Sequence, residues 1–223
     1  MLGRWQCVLS ASGHRGQRRC PAGAGAGAKA VGRVLNKSIF CFLFWRKYDR
    51  IGKIPRRKEK TMDYIFRQAT AEEIPEVFAL IMRRVAWMDT VGIRQWNVTK
   101  YDQRYPLHYY EMRRQKEELF VLTDEEGKIV SVGALLHEDE RWPEPASAYH
   151  LHHLASDPEA KGTASIFLQK AEEYTAKQGK RYMRLDSAIG NHTLEHYYAS
   201  RGYTPVGYCK DGLYEGVLRQ KKL

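Results

Sequence analysis

Leu154-Ala-Ser-Asp-Pro-Glu-Ala-Lys-Gly-Thr-Ala-Ser-Ile-Phe-Leu168 is the stretch whose reading decides the fold. A strand candidate running from Tyr149 to Ala155 ends here, and Asp157-Pro158 turns the chain. Glu159 to Ala164 then leads into a helix marked by Ala164, Leu168, Ala171 and Thr175 at helical spacing and closed by Gly179. Small residues at the mouth of a helix let backbone N–H groups come close to a ligand. The unpaired N–H groups and the helix dipole favour an anion such as a diphosphate, and Lys161 adds positive charge. Taken alone, a strand, a turn and a helix with one glycine also describe an ordinary tight turn.

Downstream, Tyr182 to Ser187 reads as a strand. Asn191 caps a helix that runs to about Ser200 and closes at Gly202, and two strands follow, near Val206–Cys209 and Leu213–Leu218. Upstream, Tyr64 to Gln68 is rich in β-formers. Ile74, Val77, Phe78, Ile81, Val85 and Met88 fall at helical spacing. Gly92 interrupts that pattern, and a second helix is expected over His108–Lys116. Leu119 to Leu122 and Ile129 to Leu136 form a hairpin around Asp124-Glu125-Glu126-Gly127. A loop is expected at Trp142-Pro143-Glu144-Pro145. The order implies an α+β protein with one βαβ crossover in its second half.

Thirty residues beyond the Gly162 turn comes Asn191-His-Thr-Leu-Glu-His-Tyr-Tyr-Ala-Ser-Arg-Gly-Tyr203. Together the two segments resemble the acyl-CoA-binding core of the GNAT family of N-acetyltransferases. That family's phosphate loop reads Gln/Arg-x-x-Gly-x-Gly/Ala; here it is Glu159-x-x-Gly162-x-Ala164. Its later helix carries Asn, then Tyr near the end, then Gly-Phe or Gly-Tyr, matched by Asn191, Tyr198 and Gly202-Tyr203. The Gly92-Ile93-x-Gln95-Trp96 stretch is similar to small bacterial members. The resemblance covers most of 62–223 and none of 1–61. It implies a mixed, mostly antiparallel central sheet with helices on both sides. Glu159 departs from the pattern: a carboxylate beside a diphosphate is unfavourable unless it points to solvent and only its backbone N–H contacts phosphate.

The resemblance implies acetyl transfer from acetyl-CoA, as cosubstrate, to a primary amine by direct attack in a ternary complex. The alternative is a GNAT-fold protein that binds CoA for regulation without catalysis. Implied cofactor contacts are Leu154, Ala155 and Ser156 on the strand, Glu159, Lys161, Gly162, Thr163, Ala164 and Ser165 at the helix mouth, and Asn191. Tyr198 matches the family's general acid for the leaving thiolate. A lysine-like amine of pKa about 10.4 is neutral in roughly one molecule in a few thousand at pH 7, so a base is needed. His152, His153 and Glu138 are the candidates. Strand alternation places His152 and His153 on opposite faces, so at most one should face a cleft. His150 and His152 share a face but lack a third ligand, so no metal site is expected. Asp186 reads as a loop stabiliser. Trp87, Trp96 and Tyr105–Tyr110 fall where the family binds its acceptor, or else are core aromatics.

Composition constrains partners. The chain has 223 residues and a formal charge of +11. Residues 1–61 hold 15 Lys and Arg against Asp49 and Glu59 only, leaving 22 basic and 24 acidic side chains, a charge of −2, for the other 162. The folded part therefore gives no sign of nucleic-acid binding, and no apolar run is long enough to span a bilayer. Four cysteines are too few for a disulfide scaffold. The first 61 residues, with an Ala/Gly tract at Pro21–Ala30 and one apolar block at Ile39–Trp45, read poorly as a domain. Three readings compete: a basic nucleic-acid or lipid-binding arm, a transit peptide, or upstream sequence read from an early start codon. The last is preferred, with the native protein beginning at Met62 and residing in a bacterial cytoplasm; a genuine transit peptide would direct it to mitochondria. The expected partner is a small-molecule or peptide amine, with homodimerisation left open and no membrane association.

Overall fold

The computed structural model describes residues 63–142 and 144–223. The expectations for residues 1–61, for a start at Met62 and for Pro143 lie outside the described residues. In chain order the elements are β1 (Ile65–Gln68), α1 (Ile74–Thr90), a 3-10 turn (Trp96–Val98), α2 (Tyr101–Arg104), α3 (Leu107–Gln115), β2 (Leu119–Thr123), β3 (Ile129–Leu136), β4 (Ala148–Ser156), α4 (Thr163–Lys177), β5 (Tyr182–Ala188), α5 (His192–Ser200), β6 (Thr204–Asp211) and β7 (Tyr214–Lys222). The expected α+β class holds. The irregular segment between α1 and α3 folds into two short helical turns that the periodicity did not mark.

The seven strands form one sheet in the order β1-β2-β3-β4-β5-β7-β6. Every pairing is antiparallel except β4 with β5, which α4 connects as a crossover. β2 and β3 are buried throughout because both faces are covered. Leu119 and Val121 meet Val77, Leu80 and Ile81 of α1 on one face. Phe120 and Leu122 meet Phe167, Leu168 and Ala171 of α4 on the other. α1 and α4 therefore lie on opposite sides of the sheet. At Gly133 of β3 a Cβ would stand 2.8 Å from the Phe167 ring, so the absence of a side chain there is what lets α4 sit close.

Two irregularities position the site. β4 pairs with β5 only from Ala148↔Tyr182 to Leu151↔Leu185. Beyond that point β4 runs on to Ser156 beside β3, while β5 runs on to Ala188 beside β7, so the sheet opens as a wedge. At the apex β4 also bulges. Val132 faces Ala155 but Ala134 faces His152, so His153 and Leu154 together oppose Gly133. His153 takes φ +55° there.

Candidate functional site

A cavity of about 740 Å³ fills the wedge. Its walls come from both faces of the sheet: Trp87, Trp96 and Tyr101 from the α1 side, and Ala164, Tyr197 and Tyr198 from α4 and α5. It therefore passes through the sheet where β4 and β5 part. The bulge overturns the alternation argument, since His152 and His153 both line this cavity. An extra residue in a strand resets its facing, which residue types alone do not signal.

His153 is buried and held at both ring nitrogens. The Tyr101 hydroxyl lies 2.5 Å from Nδ1 and the Tyr109 hydroxyl 2.9 Å from Nε2, and Tyr105 and Tyr110 pack edge-on around the ring. Burial, and then the neighbouring His152, Arg141 and Arg113, push its pKa well below the usual histidine value. The ring is neutral, with one N–H and one lone pair, so one phenol must donate to it and the other accept from it. A non-glycine residue at positive φ costs about 1–2 kcal/mol. Two buried hydrogen bonds of about 1 kcal/mol each offset that. The clamp thus fixes the bulge, and with it the orientation of the Leu154 peptide.

His152 is oriented differently. Its Nε2 lies 2.8 Å from Asp139 Oδ2. Burial alone would raise the Asp139 pKa, but the hydrogen bond and charge of His152, with Arg141, hold it well below the carboxylate range. A carboxylate only accepts, so Nε2 carries a proton, and in the neutral ring the lone pair is on Nδ1. Also on the cavity wall, Asp186 accepts from Arg141 Nη1 at 2.6 Å and from the Tyr214 hydroxyl, an inter-strand tie in keeping with a stabilising role.

Among the other expected site residues, Tyr198, Leu154, Ser156, Ala164 and Asn191 line the cavity. Tyr198 is buried at the end of α5 against Tyr203. Its hydroxyl makes no hydrogen bond among the described residues. Burial, then the nearby Tyr197 and Asp186, raise its pKa well above the ordinary phenol value. Asn191 Oδ1 caps α5 through the Leu194 N–H at 3.1 Å. Gly162 opens α4 at φ +86° with no side-chain cap. The Gly162 and Ala164 N–H groups find no acceptor among the described residues, which leaves two donors at a helix N-terminus for an anion.

Other candidates stand apart. Ala155 is buried in the α1-side core, because the bulge turns it away from the wedge. The Thr163 hydroxyl is occupied by Ser131, 3.0 Å away, and by the Ala160 carbonyl, 2.8 Å away, leaving only its main chain for a ligand. Ser165 Oγ lies 2.9 Å from the Tyr197 hydroxyl, tying α4 to α5. Lys161 is exposed, and Glu159 is exposed in a separate groove with Glu76, Arg83 and Lys128, so its carboxylate stands outside the cleft. Glu138 is corrected as a candidate base: it is exposed and outside the cavity lining, and its neighbour Asp139 is the acid that turns inward. Asp139, Arg141, Tyr101 and Tyr214 carried no sequence signal, since their partners are distant in the chain.

His150 lies outside the cavity, buried beside Trp142, with Nδ1 unpartnered. No group of three or more His, Cys, Asp or Glu side chains among the described residues is arranged to hold a metal ion. Burial pushes the His150 pKa down to about 4. The unfolded chain binds this proton near pH 6.5 and the folded chain does not until about pH 4, so this contribution to stability is full above 6.5 and lost as pH falls between the two. The linkage amounts to about 3 kcal/mol at pH 4. Chemical unfolding should show stability dropping over that window. His150→Leu should match wild type at pH 7 and lose much of the acid slope; an unchanged slope would count against the assignment.

No helix among the described residues is long and apolar enough to cross a membrane. Comparison with curated proteins yields no match. A family model described as acetyltransferase (GNAT) family matches residues 83–203. Among solved structures, a GNAT-family acetyltransferase from Listeria monocytogenes is 21% identical, covering 72% of this chain and 95% of its own, with a TM-score of 0.60. One from Streptococcus agalactiae is 23% identical over 72% and 95%, with a TM-score of 0.58. The PaiA N-acetyltransferase of Thermoplasma acidophilum, solved in complex with coenzyme A, is 16% identical over 73% and 100%, also at 0.58. These likenesses show a shared fold, and the family model, spanning more than half of the residues, shows the membership: this chain belongs to the GNAT acetyltransferase family.

Proposed function

We propose that the protein transfers the acetyl group of acetyl-CoA to a primary amine within the wedge. The observation that carries this is a cavity lined from both faces of the sheet, with Ala164 of an uncapped helix N-terminus, a clamped bulge and an unpartnered phenol on its walls. Acetyl-CoA supplies the activated thioester. The Gly162 and Ala164 N–H groups suit its diphosphate, and the bulged peptide around Leu154 suits its carbonyl oxygen. The amine enters from the α1 side. His152 Nδ1 takes its proton as the nitrogen attacks the carbonyl carbon. The carbon–sulfur bond breaks, and the Tyr198 hydroxyl stabilises the departing thiolate by donating a hydrogen bond. Glu159 is no obstacle, because it lies in a separate groove beside Arg83 and Lys128.

A thermal-shift titration tests the premise. Acetyl-CoA at about a hundred times its dissociation constant should stabilise the fold by about 2.7 kcal/mol, a Tm rise of several degrees for a domain of this size. No shift at millimolar ligand would sink the reading.

A further inference from the structure

The charged groups on the cavity wall are unequal in sign: Arg84, Arg94, Arg104 and Arg141 against Asp186 and Asp211. Both carboxylates are already engaged. Asp211 pairs with Arg104, and Asp186 with Arg141 and Tyr214. Arg84 and Arg94 have no carboxylate partner among the described residues. Arg84 is half-buried, and its guanidinium lies 3.9 Å over the ring of Trp87, one turn further along α1. Burial lowers its pKa, the mark of a cation that has given up solvent without gaining a counterion. Because α1 lies on the sheet face opposite α4, this cation stands on the amine's side of the wedge, away from the helix mouth that suits the diphosphate. The neighbouring wall is aromatic, with Trp96 stacked on Tyr101 at 4.7 Å.

Resting on the acetyl-transfer reading above, we infer that the acceptor is an amino-carboxylate with an apolar or aromatic body, its carboxylate held by Arg84. A guanidinium stacked on an indole has its fork pre-aimed, and a carboxylate can meet it with two parallel hydrogen bonds. A polyamine or an aminoglycoside would meet two uncommitted arginines and no uncommitted carboxylate.

Thiol release from acetyl-CoA, followed with common L-amino acids, phenethylamine, tryptamine, spermidine and kanamycin, tests this. The wild type should use L-phenylalanine, L-tryptophan or L-methionine with kcat/KM at least about tenfold above that for phenethylamine or tryptamine, which lack only the carboxylate. Arg84→Gln should abolish that preference by raising KM for the amino acid about tenfold or more while leaving KM for acetyl-CoA unchanged; Arg84→Lys should fall between. Preference for the decarboxylated amines or the polycations overturns the inference. So does a rise in KM for acetyl-CoA rather than for the acceptor, or failure of every amino acid either to release thiol or to bind the CoA-loaded protein. Should acetyl-CoA itself fail to bind, the underlying acetyl-transfer reading falls, which is a separate outcome.

Discussion

Tyr198→Phe is expected to lower kcat by about a hundredfold or more while leaving acetyl-CoA affinity within about twofold of wild type. The substitution isolates the oxygen. Phenylalanine keeps the ring that packs edge-on against Tyr203 at 5.6 Å between centroids. The lost hydroxyl has no hydrogen bond among the described residues, so the fold should lose almost nothing. Burial raises the Tyr198 pKa well above 10, so the phenol is fully protonated at any working pH. The thiolate of a thiol near pKa 8.5 is therefore too weak a base to take that proton completely. The hydroxyl acts by donating to sulfur as negative charge develops there, an interaction weak in the ground state and strong in the transition state. That asymmetry is why the loss should appear in kcat rather than in affinity. Equal turnover by the phenylalanine variant, at saturating substrates with unchanged Tm, would remove Tyr198 from the mechanism. Acetyl-CoA binding with no thiol release by the wild type would instead favour the regulatory alternative.

Local elements were legible because local physics makes them. The apolar runs of β2 and β3, the spacing of α1, the cap at Asn191 and the glycine opening α4 all recur in the structure within a few residues of where the sequence places them. The wedge was not legible in the residue pattern itself, although the family resemblance implied a splay in the fourth strand near Leu154–Ser156. Its apex depends on one extra residue in β4 and on the point where β4 and β5 stop pairing. A strand read as strictly alternating misses that by construction, which is why His152 and His153 were expected on opposite faces. The partners that define the chemistry span long stretches of chain. Tyr101 and Tyr109 reach His153 across 52 and 44 residues, and Arg141 reaches Asp186 across 45. In one sequence such pairs leave no pattern. Choosing Glu138 over Asp139 illustrates the limit: two acids one position apart are equivalent as composition, and only the path of the loop turns one inward.

The second large effect concerns the amine's proton. His152→Gln should reduce kcat/KM about a hundredfold at pH 7, within the range for loss of a general base, and the defect should shrink as pH rises. The reasoning follows the amine. Without an internal base the variant reacts only with acceptor that is already neutral, a fraction that grows about tenfold per pH unit up to the amine's own pKa. Its kcat/KM should climb with that slope while the wild type levels off, so the two profiles converge in alkali. Asp139→Asn should act through tautomer rather than through charge alone. An amide can donate to Nε2, which would move the ring proton to Nδ1, the atom that must stay unprotonated to receive the amine's proton. That variant should lose about tenfold or more at pH 7 while KM for acetyl-CoA stays put. If His152→Gln instead lowers the rate by one constant factor across the whole pH range, the imidazole is only holding the loop around Asp139 in place, and the proton leaves the amine through water.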